Sequence, residues 1–370
     1  MSTLHFKLVA PVPRIPAVLE KFAQQLAANR PLMDEQVRLA VEQLTDEKIP
    51  PAVKAGFLAA LAQKGETPDE IAAFARALRD KSIAVPLDAE TRNREILDVV
   101  GTGGDRLGTF NISTTAAILC AAAGVTVAKH GNRAVTSQAG SADVLEALGV
   151  RIDLTPAEAA RSLRECCFAF FFAPAYHPAF KHIVPARKLC AERGQRTIFN
   201  FLGPLLNPAR PSAMLVGVPQ PELCEPLARV LQSLGVRRAM VVCGSVSPKS
   251  KVQSPSPQFL DEFSPIGPNT IAEFHQERGF AASILAPDQF PLQRATLADL
   301  LGGDRHANAE IVRRILRGDE RGPRREAVLL NAAAALFVAG KAKSLTEGWD
   351  LAAETIDSGK AAAKLAELAR

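Results

Sequence analysis

The feature that most constrains this 370-residue chain is an apolar run that stops in a cluster of glycines, ILDVVGTGGD, from Ile96 to Asp105. A short apolar run ending in glycines reads as a strand entering a tight turn. There the backbone adopts positive φ and a ligand can approach the main-chain N–H groups closely. The theme recurs downstream: the runs VTVAKHG, VRIDL, FAFFF, SAMLVGV and RAMVVCG alternate with helical stretches such as TTAAILCAAAG and SADVLEALG. Such alternation predicts an α/β domain with a largely parallel sheet.

Upstream the periodicity is different. From residue 15 to about 80, apolar residues recur at three- and four-residue steps through IPAVLEKFAQQLA, DEQVRLAVEQL, PAVKAGFLAALAQ and PDEIAAFARALRD. This predicts a small all-helical domain. Pro16, Pro51 and Pro68 fall where first-turn prolines are tolerated, and Thr67 with Glu70 three residues on has the form of a capping box. The polar connection AVPLDAETRNRE marks the change, so the expected division is residues 1–85 and 86–370. Ser245–Phe259, rich in Ser, Pro and Lys, predicts a surface loop, and the last stretch of about 70 residues returns to helix through EIVRRILRG and REAVLLNAAAALFVAG.

Composition narrows the class. Lys and Arg number 44 against 39 Asp and Glu, and the charges are interleaved rather than clustered, which argues against a nucleic-acid-binding protein. Six cysteines show no CxxC pair and no zinc-ligand spacing, as expected of small buried thiols in a reducing compartment. No secretory leader is evident, and no apolar run reaches the ~20 residues that would span a bilayer. The expectation is a cytoplasmic protein with no membrane partner.

Three elements within fifty residues point to phosphate. The first is the glycine turn, with Gly101, Gly104 and Asp105. The second is TFNISTT, in which Thr109, Asn111, Ile112, Ser113 and Thr114 open an apolar helix whose N-terminus favours anions. The third is the basic strand end Lys129, His130, Gly131, Asn132 and Arg133. It continues through Ala134, Val135, Thr136 and Ser137 to a second helix start at Ser141. In open α/β sheets ligands bind beyond the carboxyl ends of strands, so these charges face a common crevice. A pyrophosphate-bearing substrate calls for magnesium, which prefers oxygen ligands and bridges carboxylate to phosphate. Asp261 and Glu262 in LDEFSPIGPN are the candidate ligands, with the Ser113 hydroxyl. YHPAFKHIVPARK brings His177 and Arg187 into one segment, and an arginine fork suits a carboxylate.

Together these motifs resemble the anthranilate phosphoribosyltransferase family. The resemblance runs through DVVGTGGD, FNISTTAAIL, AKHGNR, GSADVLEALGV, FAPAYHPAFKHIVPAR, RTIFNFLGPLLNP, LDEFSPIGPN and AVLLNAAAALFVAGKA. It implies a helical domain hinged to a larger α/β domain, a contribution to the smaller domain from about 160–185, and a homodimer formed through the helices. It also implies transfer of phosphoribose from PRPP to the amine of anthranilate in tryptophan biosynthesis, with Mg2+ as cofactor. In residue terms, PRPP falls to Gly101, Gly104, Asp105, Thr109 and Asn111 to Thr114, then to Lys129 through Ser137 with Ser141. Magnesium falls to Ser113, Asp261 and Glu262, and anthranilate to Gly101, Asn132, His177 and Arg187. Two departures stand out. Cys243–Gly244 replaces the family's usual His-Gly pair, and the Ser/Pro/Lys-rich segment before the acids is longer than usual. Three rival readings share this frame: a pyrimidine nucleoside phosphorylase, a transferase with another aromatic amine acceptor, and a non-catalytic nucleic-acid-binding relative.

Overall fold

A computed structural model describes residues 18–134, 138–247 and 258–370. Four helices come first: α1 Val18–Ala27, α2 Asp34–Thr45, α3 Pro51–Lys64 and α4 Pro68–Asp80. The expected cap of α4 is present. Thr67 accepts from Glu70 N at 3.2 Å and Glu70 returns the bond to Thr67 N at 2.9 Å. Buried Glu70 also accepts from Leu32 N and pairs with Lys64 at 2.7 Å, so one carboxylate ties three parts of the bundle together.

After the short α5 (Ala89–Asn93), strand and helix alternate. The elements are β1 Ile96–Gly101, α6 Ile112–Ala122, β2 Thr126–Gly131, α7 Ser141–Ala147, α8 Pro156–Cys166 and β3 Phe168–Phe172. They continue with α9 Ala173–Tyr176, α10 Val184–Glu192, α11 Phe199–Leu202, β4 Ala213–Gly217, α12 Cys224–Ser233 and β5 Arg238–Ser245. The sheet is completed by β6 Phe259–Leu260, β7 Asn269–His275 and β8 Gly279–Leu285. The chain closes with α13 Arg305–Arg317, α14 Pro323–Val338, α15 Leu345–Asp357 and α16 Lys360–Leu368.

The strand order is β3-β2-β1-β4-β5-β7-β8, with β6 paired to β5. β1 to β5 are parallel, and β6, β7 and β8 add antiparallel pairings. The chain leaves β1 toward β2 on one side and returns as β4 on the other. That reversal is the topological switch point where such sheets bind ligands. Side-chain alternation divides most of the sheet between two large cores, with Ile96, Ala128, Ala169 and Phe171 in a third, smaller cluster. Ala213, Leu215, Met240 and Val242 face α6, α7 and α13 to α16, whereas Met214, Val216, Ala239 and Val241 share a core with the helical bundle, α10 and α12.

One sequence expectation needs correction, and one element was not foreseen. VRIDL is not a strand: Val150 and Ile152 are buried alternately, but the segment joins no ladder. A period-two apolar pattern reports alternating burial, and here burial came without a pairing edge. The β7–β8 hairpin was not anticipated, because β8 is largely solvent-facing and carries little apolar alternation. Of the 160–185 segment, α8 packs on β3 while Ile183 lies in the bundle core, beside residues of α10 and of 198–206. The Ser245–Phe259 expectation falls mostly outside the described residues. Among the described residues, no helix is long and apolar enough to cross a membrane.

Candidate active site

The glycines at the strand ends exist to let an acidic turn come close. Gly101 and Gly217 are register partners on β1 and β4. A Cβ on Gly101 would collide with the Asp261 carboxylate, and one on Gly217 with the Asp261 carbonyl. Gly244 at the end of β5 is equally hemmed in by Glu262 and Ser264. The turn carrying Asp261–Glu262 therefore lies directly over the ends of three strands. Asn331 of α14 fixes it from behind, accepting from Phe263 N at 2.9 Å and donating to Phe263 O at 3.0 Å.

From that position Asp261 and Glu262 reach two of the three predicted phosphate elements. Asp261 accepts from Gly103 N at 2.6 Å within the glycine turn, where Gly103 and Gly104 have positive φ. Glu262 accepts from Ser113 N at 3.1 Å, at the N-terminus of α6. Both side chains are half-buried, and the loss of water around them is the main reason that both carboxyls are held above their ordinary range. Asp261 is pushed further by the Asp105 and Glu262 charges. Glu262 rises to about 7 despite the neighbouring Lys129 ammonium. Crowded acids of this kind fit a divalent cation, whose charge would relieve the repulsion. Among the described residues there is no group of three or more metal-ligating side chains. Two carboxylates with a hydroxyl suit magnesium, which takes few protein ligands and completes its shell with water and substrate phosphate.

The remaining phosphate elements are anchored around this pair. Thr109 bridges to Leu301, Gly302 N donates to Gly108 O at 2.9 Å, and Asn308 donates to the Asn111 side chain at 3.0 Å. Ile112 and Thr114 are buried in α6. Lys129 is not a free surface cation: it is buried, and its Nζ donates to Val99 O at 2.6 Å. Gly131 admits Ser141 and Phe170, either of which a Cβ would strike. Asn132 and Arg133 are exposed, and Arg133 pairs with Asp143 at 2.8 Å and Glu146 at 3.0 Å. Asp143 also accepts from Ala134 N and Gly140 N, clamping both ends of the loop between them. Val135, Thr136 and Ser137 lie outside the described residues.

A second wall leads away from β2. His130 meets His177 edge to face at 5.4 Å, His177 meets Phe180 at 5.3 Å, and Phe180 meets Phe199 at 5.6 Å. Arg187 lies over the Phe199 ring at 5.3 Å. The structure thus connects His177 and Arg187 to the basic strand end through aromatic rings that sequence reading missed. Only the aromatic-rich strings FKH and IFNFL signalled them. Arg187 makes no ion pair among the described residues, and partial burial lowers its ordinarily high pKa. A desolvated guanidinium beside an aromatic face suits a planar aromatic carboxylate.

Both histidines are neutral at pH 7. Burial drives His130 down to about 3, with help from His177, and burial drives His177 down to about 4. Their folded pKa values lie below the ordinary ~6.5, so they favour folding above that pH. The benefit is lost as pH falls from about 6.5 toward the folded values, because only the unfolded chain takes up protons. Lowering the pH from 7 to 5 is therefore expected to cost about 2 kcal/mol per histidine by linkage. Urea midpoints at the two pH values should differ less in His177→Asn than in the parent. An equal difference in both proteins would contradict the buried neutral assignment.

Comparison with known proteins agrees with this geometry. A model of the glycosyl transferase family a/b domain matches residues 93–362, and one of the family's helical bundle domain matches residues 20–82. The chain is 44% identical over 347 residues to the anthranilate phosphoribosyltransferase of Petrotoga mobilis, covering 94% of this chain and 95% of that one. It is 45% identical over 344 residues to that of Symbiobacterium thermophilum, covering 93% and 94% respectively. The crystal structure of the Thermus thermophilus anthranilate phosphoribosyltransferase superposes with a TM-score of 0.82 at 41% identity, over 94% of this chain and 98% of that one. The Saccharomyces cerevisiae enzyme, solved in complex with PRPP and Mg, gives a TM-score of 0.81 at 26% identity, over 95% and 96%.

Proposed function

The chain belongs to the anthranilate phosphoribosyltransferase family, and we propose that its crevice transfers the phosphoribosyl group of PRPP to the amine of anthranilate, releasing pyrophosphate. The observation that carries this reading is the Asp261–Glu262 turn, seated over the glycine ends of β1 and β4 and bonded to the glycine turn and the start of α6. On this reading PRPP lies against the glycine turn, the start of α6 and the end of β2. Anthranilate sits toward Gly101, Asn132 and His177, with its carboxylate on Arg187. Asp261, Glu262 and the Ser113 hydroxyl would hold magnesium, which supplies positive charge to the departing pyrophosphate.

The chain's own residues supply position and field. An aniline nitrogen is neutral at pH 7 and carries its lone pair, so attack needs no prior deprotonation and no nucleophilic side chain. The barrier lies in the departing pyrophosphate and the positive charge growing at the anomeric carbon. Backbone N–H groups of the glycine turn and α6 oppose the first without reorganising. The aromatic wall and Arg187 orient the acceptor, and holding two reactants in one crevice supplies part of the roughly 7–11 kcal/mol available from orientation. Closure of the bundle over the crevice would exclude water as a rival nucleophile.

A homodimer joined through the bundle belongs to the same proposal, supported by the exposed apolar side chains of Met33, Leu39 and Val184. So does a cytoplasmic location, with which six free thiols are in keeping.

The direct test follows anthranilate fluorescence with PRPP and magnesium. The signal should fall only when both are present. In Arg187→Ala the anthranilate KM should rise about 10- to 100-fold, the loss of a charge-assisted contact. Binding of PRPP without any loss of anthranilate would mean that the acceptor is a different amine.

A further inference from the structure

The strands β1 and β2 part at the crevice. Their pairing consists of Ile96↔Thr126 and Leu97↔Val127, while β1 stays paired with β4 as far as Gly101 and β2 with β3 as far as Gly131. Beyond Leu97 the gap between them is bridged by polar side chains. Lys129 crosses it to Val99 O. Asp98, with no exposure to solvent, crosses it in the other direction. Its Oδ1 accepts from His130 N at 3.4 Å and its Oδ2 accepts from the Asn207 side chain at 2.8 Å.

Asn207 is equally buried. Its Nδ2 also donates to Ala128 O at 2.7 Å, and its Oδ1 accepts from Ala209 N at 2.9 Å. All of its amide groups are therefore engaged with β1, β2 or its own turn. The surrounding segment is held at two further points. His130 Nδ1 lies 3.2 Å from Gly203 O, and Arg79 of α4 donates to Leu205 O. Leu202, Leu205 and Leu206 belong to the core shared with the bundle. Residues 203–209 therefore run from the bundle core to the underside of the basic strand end.

We propose, on the reading that this crevice binds PRPP, that Asp98 and Asn207 are positioning residues which hold the Lys129–Asn132 end of β2 at a fixed separation from β1 and lock it to the bundle-borne segment 203–209. Neither residue touches substrate. A fully buried carboxylate is costly to keep unless its bonds do something that apolar packing does not, and here those bonds replace the missing ladder at the point where the phosphate grip must be rigid.

The test uses Asp98→Asn, which keeps shape but sets two amide donors against each other, and Asn207→Ser, which keeps a small polar group should the first variant fail to fold. In each, PRPP affinity with magnesium is measured by calorimetry, and amide exchange is followed by mass spectrometry across residues 126–134 and across α1–α4. The expected result is a PRPP dissociation constant raised about tenfold or more, with faster exchange at 126–134 and unchanged exchange across α1–α4. A dissociation constant within twofold of the parent, or faster exchange spread evenly over the whole chain, would overturn the proposal in favour of a purely structural role. If the parent itself does not bind PRPP, the functional reading fails, and the exchange pattern still decides whether the pair positions the strand.

Discussion

Gly217→Ala is expected to abolish transferase activity, with a loss of at least about 100-fold, because the acidic turn has nowhere else to go. The new methyl group would overlap the Asp261 carbonyl, which is main chain and cannot swing aside as a flexible side chain could. Gly217 O also accepts from Thr102 N at 2.9 Å, so the strand end cannot retreat without disturbing the glycine turn. Overpacking of this kind costs about 1–3 kcal/mol in stability, which a folded protein of this size can survive. The catalytic cost is larger, since a shift of roughly 1 Å in the groups that position a reaction is worth about 100-fold. Gly56→Ala is the matching control. Gly56 lies inside α3, a Cβ there meets nothing within 4 Å, and its φ is not positive. That change should leave activity intact and add about 0.4–1 kcal/mol through the unfolded chain. Thermal melts and steady-state rates on the two variants settle the matter. An active Gly217→Ala enzyme would mean that the acids need not sit over the strand ends.

The contrast between these glycines shows what the sequence made legible. ILDVVGTGGD announced a strand and a ligand turn, and AKHGNR announced another strand end, because β-branched runs and glycines are local signals. Thr67 and Glu70 announced a helix start for the same reason. Gly217 and Gly244 sat in runs that also read as strands, but nothing local showed that a glycine was required, since each is needed only because a turn more than fifteen residues downstream folds back over it. Phe180 and Phe199 read as ordinary apolar residues until the fold placed them between His177 and Arg187. Arg133 and Lys129 look alike in sequence. In the structure one is exposed and paired with α7, and the other is buried beneath the acids. VRIDL misled in the opposite sense, because alternation records which side chains are covered and not whether the backbone has found a partner. Local chemistry is written in short strings, whereas closeness across the sheet is not.

The acid pair should show a trade between activity and stability that a surface pair would not. Glu262→Gln keeps the shape and the bond from Ser113 N but removes a charge, and Asp261→Asn does the same at Gly103 N. Each is expected to lose about 10²–10³-fold in rate, the usual cost of deleting one preorganised electrostatic group, with only partial recovery at high magnesium. Without magnesium the same variants should be more stable than the parent at pH 8. The sign follows from the direction of the shifts. Both folded carboxyls lie above their ordinary values, Glu262 at about 7, so ionising them works against the folded state. In the parent that penalty is absent below the ordinary carboxylate range and grows as pH rises toward 7. A neutral amide never incurs it. The stability gain of Glu262→Gln should therefore shrink as pH is lowered from 8 to 4, and in the parent magnesium should stabilise more at pH 8 than at pH 6. Denaturation midpoints across that range, with magnesium and with chelator, measure both effects. A variant that is inactive and less stable at every pH would show that these carboxylates serve the fold and not the metal.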